Sequence, residues 1–251
     1  MKTKILLPEQ PGHRQSEGWF YIVMAIVAIA IAIVGFGPAA ISTAGRRAPL
    51  SWAVGSHVVI FGAWLLLFLT QTILISKGKT GLHMRLGFLA VLLAVLMAVS
   101  GYITAINMAR RGYDLSGDLI RGNSDPLGQM VFQLGFIFSF IILVGLAIRY
   151  RKKSAVHKRL MLLATIGSLM PAALAHIIGH SSVLREIKAP IIIIPLFILL
   201  FARAIYERFS QGRIHPISLW VALALFIWSN VLAVVIGPSN TWHHFAEWLI
   251  S

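Results

Sequence analysis

The chain has no cysteine, so ligand chemistry within its apolar segments falls to histidine. His57, Trp64 and Gln71 stand seven residues apart in SHVVIFGAWLLLFLTQ. At about 100° per residue they share one helix face within roughly 40°. His83 lies in TGLHMRLG, His157 in SAVHKRLMLLAT, and His176 and His180 in AHIIGH. His13, His215, His243 and His244 fall outside the apolar blocks. A neutral imidazole suits zinc or haem iron. His157 and His176 are 19 residues apart, about 28 Å along a helix and nearly the hydrocarbon thickness of a bilayer. They therefore belong to separate layers. In the inner layer, His83 and His157 can ligate haem b from opposite faces, with Gln71 at the same depth. Arg85 and Arg159 would then hold the propionates or an anionic headgroup. In the outer layer, His57, His176 and His180 offer three nitrogens to zinc, or His57 and His176 a second haem site. A structural alternative stands beside each reading. His83 and His157 begin helices and can meet headgroups, the outer histidines can bond neighbouring helices, and no cofactor is then needed.

The acidic residues are Glu9, Glu17, Asp114, Asp118, Asp125, Glu186, Glu207 and Glu247. None is expected deep in a span, which argues against a proton-coupled transporter and against carboxylate acid–base chemistry in the membrane core. The last span has no central lysine for a retinal Schiff base, and HExxH and GxxxxGKS are absent. Without cysteine there is no disulfide, thiolate metal site or covalent c-type haem.

The elements that must position these residues are membrane helices. The chain is 58% hydrophobic and 12% charged, with mean hydropathy +0.82. Its apolar residues form continuous blocks, each able to cross a core of about 30 Å. The expected fold is all-α, a polytopic bundle with spans at 19–37, 53–76, 84–108, 129–149, 158–180, 189–207 and 217–237. Residues 1–18 read as a cytoplasmic leader, 19–237 as a seven-helix transmembrane domain and 238–251 as an external interfacial tail. Fifteen of the 22 Lys and Arg fall on the side of the N-terminus and seven on the other, placing the N-terminus in the cytoplasm. The net charge of +14 clusters at block ends, which suits lipid headgroups and not nucleic acid. Ser154 and Thr80 are expected N-caps, and Asn240 or Thr241 that of a tail helix whose Trp242, Phe245, Trp248 and Leu249 share a face. Gly87, Ala90, Ala94, Ala98, Gly101 and Ala105 form a small-residue face that admits close helix packing.

Four strings occur together: FGP at 36–38, H-x6-W-x6-Q at 57–71, HxRLG at 83–87 and HKRLMLLAT at 157–165. With them the chain resembles a group of uncharacterised bacterial multi-helix inner-membrane proteins. The resemblance implies the architecture and the bacterial inner membrane, and marks His57, Trp64, Gln71, His83, Arg85, His157 and Arg159. It implies no activity and does not extend to His176 and His180. A looser similarity is to membrane b-type cytochromes, although the chain lacks their two helices each bearing a spaced pair of core histidines. The sharpest functional expectation is a haem-binding redox protein with a quinone or other membrane redox partner. The others are a non-enzymatic assembly factor, lipid-binding protein or carrier, and a zinc-dependent membrane hydrolase.

Overall fold

The computed structural model describes residues 11–41, 51–112, 125–180 and 193–251, excepting the side chains of 11–16, 39, 40, 179 and 180. Outside the described residues lie most of the leader, Arg46 and Arg47, the loop carboxylates Asp114 and Asp118, the start of the expected sixth span and the side chain of His180.

Among the described residues the chain is all helical: α1 (Pro11–Ile41), α2 (Trp52–Ser76), α3 (Thr80–Arg111), α4 (Pro126–Arg149), α5 (Ser154–His180), α6 (Ile193–Gln211), α7 (Pro216–Val231) and α8 (Asn240–Ile250). A π-helical turn, Leu232–Ile236, extends α7. Six of these helices are long and apolar enough to cross a membrane: α1 through α5, and α7 with its π turn. In α6, Arg203, Glu207 and Arg208 interrupt an otherwise apolar run.

Local chemistry explains the ends. Ser51 caps α2 by accepting from the Val54 amide, and Asp125 caps α4, with Pro126 opening the helix. Thr80 does not cap α3. That helix already includes Thr80, and its N-cap is Lys79, with no side-chain bond. Ser239, not Asn240 or Thr241, caps α8 through the Trp242 amide. Gly112 closes α3 at φ 71°, a left-handed conformation glycine adopts without strain.

Packing proceeds around a closed ring. α1 meets α2, α2 meets α3, α3 meets α4, α4 meets α5, and α5 returns to α1. α6 and α7 pack on the other side of α5, so α5 belongs to both groups. Its apolar window is 67% buried, more than that of any other candidate span. Two glycines permit the close approaches this requires. A Cβ at Gly35 would lie 2.6 Å from the Ala173 carbonyl oxygen, and one at Gly167 would lie 2.6 Å from Leu225. α5 runs on through Pro171 despite the missing amide. The small-residue face of α3 packs closely towards Arg111, the end labelled outer, with the His83 end labelled inner, after the expected orientation; there Gly101 sits against Ile137 and Ala105 is buried. At Gly87 there is open space.

Candidate functional site at the inner end of the bundle

The stripe on α2 spans the ring from one polar layer to the other. Trp64, 2% exposed, fills the middle. Its indole N–H donates to Thr165 Oγ1 at 3.2 Å, and its ring meets Phe140 edge-on with centroids 5.0 Å apart. Thr165 in turn donates to the Met161 carbonyl. This contact ties α2 to α5 across the ring, midway between the His57 and His83 ends.

At the inner end, His83 of α3 and His157 of α5 come together with ring centroids 6.3 Å apart and planes at 79°. His157 Nδ1 lies 2.9 Å from the Ala147 carbonyl oxygen. A carbonyl only accepts, so Nδ1 carries the proton and Nε2 keeps its lone pair in the neutral ring. Gln71 donates to the His83 carbonyl at 3.3 Å. His83 Nδ1 and Gln71 Oε1 are both buried without a hydrogen-bond partner. A buried polar group without a partner is an uncompensated cost and calls for a ligand, a water or another explanation. Thus three of the five inner-layer residues singled out from the sequence meet: His83, His157 and Gln71.

The two arginines lie elsewhere. Arg85 is exposed. Arg159 turns away from the histidines, for a reason found in HKR itself. Successive residues on a helix point about 100° apart, and α5 has neighbours on all sides. His157 faces α3 and α4, Lys158 pairs with Glu17 on α1 at 2.6 Å, and Arg159 faces α6 and α7.

Arg159 belongs to a buried ion cluster that the sequence reading did not anticipate. Glu207 of α6 is wholly buried. It accepts from Arg159 Nε and from Arg203 Nε, each at 2.8 Å, and from the His215 backbone amide at 2.8 Å. Arg159 also donates to Ser218 Oγ at 3.1 Å, and Arg203 pairs with Glu17. The rings of Phe20, Tyr21 and Tyr206 wall the Arg203 guanidinium at 5.0–5.3 Å. Glu207, at the boundary of the expected sixth span, survives burial because two guanidiniums and an amide neutralise and satisfy it. The available signal was Arg203 and Glu207 four residues apart, one turn on a single helix face of a mostly apolar segment. His215 lies beside this cluster, outside the spans. Burial, and secondarily the positive charge of Arg159, push its pKa below the ordinary histidine value.

In the outer layer the histidines have separate surroundings. His57 stacks on Phe61 at 4.0 Å, and His176 packs against Phe36 at 4.6 Å. Among the described residues no three His, Cys, Asp or Glu side chains are grouped as a metal site. The tail helix α8 docks across the outer ends of α3 and α4. Ala246 is buried there, Trp242 donates to the Leu127 carbonyl at 2.7 Å, and His243 pairs with Asp125. The expected apolar face is split by this docking: Trp242 and Leu249 pack on the bundle, while Phe245 and Trp248 stay exposed.

Six helices long and apolar enough to cross a bilayer, five of them in a closed ring whose member α5 also carries α6 and α7, suggest an all-helical, multi-pass membrane protein. Comparison with family models, curated proteins and solved structures finds no match.

Proposed function

We propose that this chain is a haem-binding redox protein of the bacterial inner membrane, in which His83 and His157 would hold the haem. The observation that carries the reading is their meeting at 6.3 Å, from helices that other members of the ring separate. Two further features support it. The Ala147 carbonyl fixes the His157 tautomer with Nε2 free, as second-shell partners of ligating histidines do. His83 Nδ1 and Gln71 Oε1 have no protein partner. The pair is partly buried at the end of the bundle, within reach of a redox partner. When bound, haem supplies one-electron chemistry. The chain's residues would hold and orient it, and a quinone or a membrane redox protein would be its electron partner. In this reading α6 is a seventh span, the N-terminus is cytoplasmic and the His83 layer faces the cytoplasm, in keeping with the excess of Lys and Arg on that side. The motif resemblance to bacterial multi-helix membrane proteins fits the same location.

A second reading is favoured by one observation. Gln71 and His157 each bond a backbone carbonyl of a neighbouring helix, as purely structural pins do. The protein would then be a non-enzymatic assembly factor, lipid-binding protein or carrier. An absorption spectrum of detergent-purified protein from haem-replete cells separates the two. The redox reading expects a Soret band that His83→Ala and His157→Ala each abolish while the variants remain folded. A colourless wild type refutes it and leaves the second.

A further inference from the structure

The ion cluster at the inner end does not balance. Lys158, Arg159 and Arg203 contribute three positive charges, and Glu17 and Glu207 contribute two negative ones. His215 does not supply the missing negative charge, since it is neutral or cationic. Arg159, Arg203 and Glu207 of this cluster are buried, where uncompensated charge is expensive. Two hydrogen-bonding groups are unused at the same place. Arg203 is 1% exposed, and its Nη1 has no hydrogen-bond partner. Tyr21 is 7% exposed, and its hydroxyl has none either. The guanidinium carbon lies 5.0 Å from the Tyr21 ring. Aromatic faces wall Arg203 and attract its charge, but they supply no formal countercharge. The cluster is not sealed. Lys158 and Glu17 keep side-chain exposures of 32% and 20%, so its α1–α5 edge is open.

We propose that this edge is a binding site for a phosphate-bearing anion, taken up by Arg203 Nη1, the Tyr21 hydroxyl and Lys158. An arginine N–H and a phenol O–H both donate to phosphate oxygens, and one negative charge cancels the surplus. The phosphate can belong to an anionic lipid headgroup or to a free anion. The site is separate from the histidine pair, because α5 directs Lys158 and Arg159 away from His157.

Native mass spectrometry of the detergent-purified protein with added phosphatidylglycerol or phosphatidylcholine tests the lipid source. Thermal shift with inorganic phosphate, against chloride at equal ionic strength, tests the free one. The proposal expects either an anionic-lipid preference of about tenfold or a phosphate-specific rise in Tm. Tyr21→Phe, which keeps the ring, should weaken the effect about tenfold, the equivalent of one hydrogen bond to a charged group. Lys158→Gln should weaken it as well. Should phosphatidylglycerol and phosphatidylcholine bind alike and phosphate leave Tm unmoved, the proposal falls. It falls equally when a preference exists but persists unchanged in both variants.

Discussion

Glu207→Gln is the most informative single substitution, because it preserves shape and removes only charge. In the native fold the Glu207 carboxylate is wholly buried and accepts from Arg159, Arg203 and the His215 amide. The glutamine carbonyl can keep part of these bonds. Arg203, 1% exposed, then keeps Glu17, while Arg159, 4% exposed, keeps only the neutral oxygens of Ser218 and the Ala155 carbonyl. Removing one partner of a buried ion pair costs about 3–5 kcal/mol, chiefly as the penalty of the stranded charge. At about 2–4 °C per kcal/mol for a chain of this size, Tm should fall by roughly 6–20 °C. The assay is thermal unfolding of the purified protein in one detergent, followed by tryptophan fluorescence. Glu247→Gln on the exposed face of α8 serves as the control, with an expected change near zero. The double substitution Glu207→Gln with Arg159→Met should recover part of the loss, since it removes a stranded charge along with its partner. A Glu207→Gln variant as stable as the Glu247→Gln control would refute the buried-pair argument. So would a double variant whose loss equals the sum of the two singles, because that leaves no coupling between the residues.

Gly35→Ala should destabilise by about 1–3 kcal/mol, because the new Cβ would meet the Ala173 backbone, which has no rotamer with which to yield. Gly87→Ala, at a position with open space, should be neutral in the same melt. The docking of α8 should depend on pH. The Ser239 carbonyl, and then the Asp125 carboxylate, raise the His243 pKa above its ordinary value. The stabilisation is therefore full below the unfolded value of about 6.5 and is lost as pH rises through the higher folded value. Hydrogen exchange of the α8 amides should accelerate across that window in wild type. Asp125→Asn should flatten the profile, and an equally steep profile in that variant would contradict the assignment.

Much of the architecture is legible in the amino-acid sequence for a simple reason. In lipid each span satisfies its own backbone, so apolar block length identifies helices without reference to their neighbours. The reading of α2 follows from the same regularity. Helical period places His57, Trp64 and Gln71 on one face, and the structure turns that face inward, with Trp64 buried at the centre and His57 and Gln71 half-buried at its two ends. Depth arithmetic also separates the inner histidines from the outer ones before any packing is known.

Partner choice is different, because it depends on which helix stands where. Glu17 and Arg203 are 186 residues apart in the chain, and Arg159 and Glu207 are 48 apart. Nothing local couples them. Tyr21, Lys158, Arg203 and Glu207 become one cluster only when α5 is enclosed by α1, α4, α6 and α7. The sequence by itself therefore determined the apolar helices, the face that His57, Trp64 and Gln71 share and the separation of His157 from His176 along one helix, all consequences of period and length. Only tertiary structure decided that His157, Lys158 and Arg159 serve three different neighbours. The physical reason is that each side chain of a central helix takes its electrostatic environment from whichever helix packs in its direction.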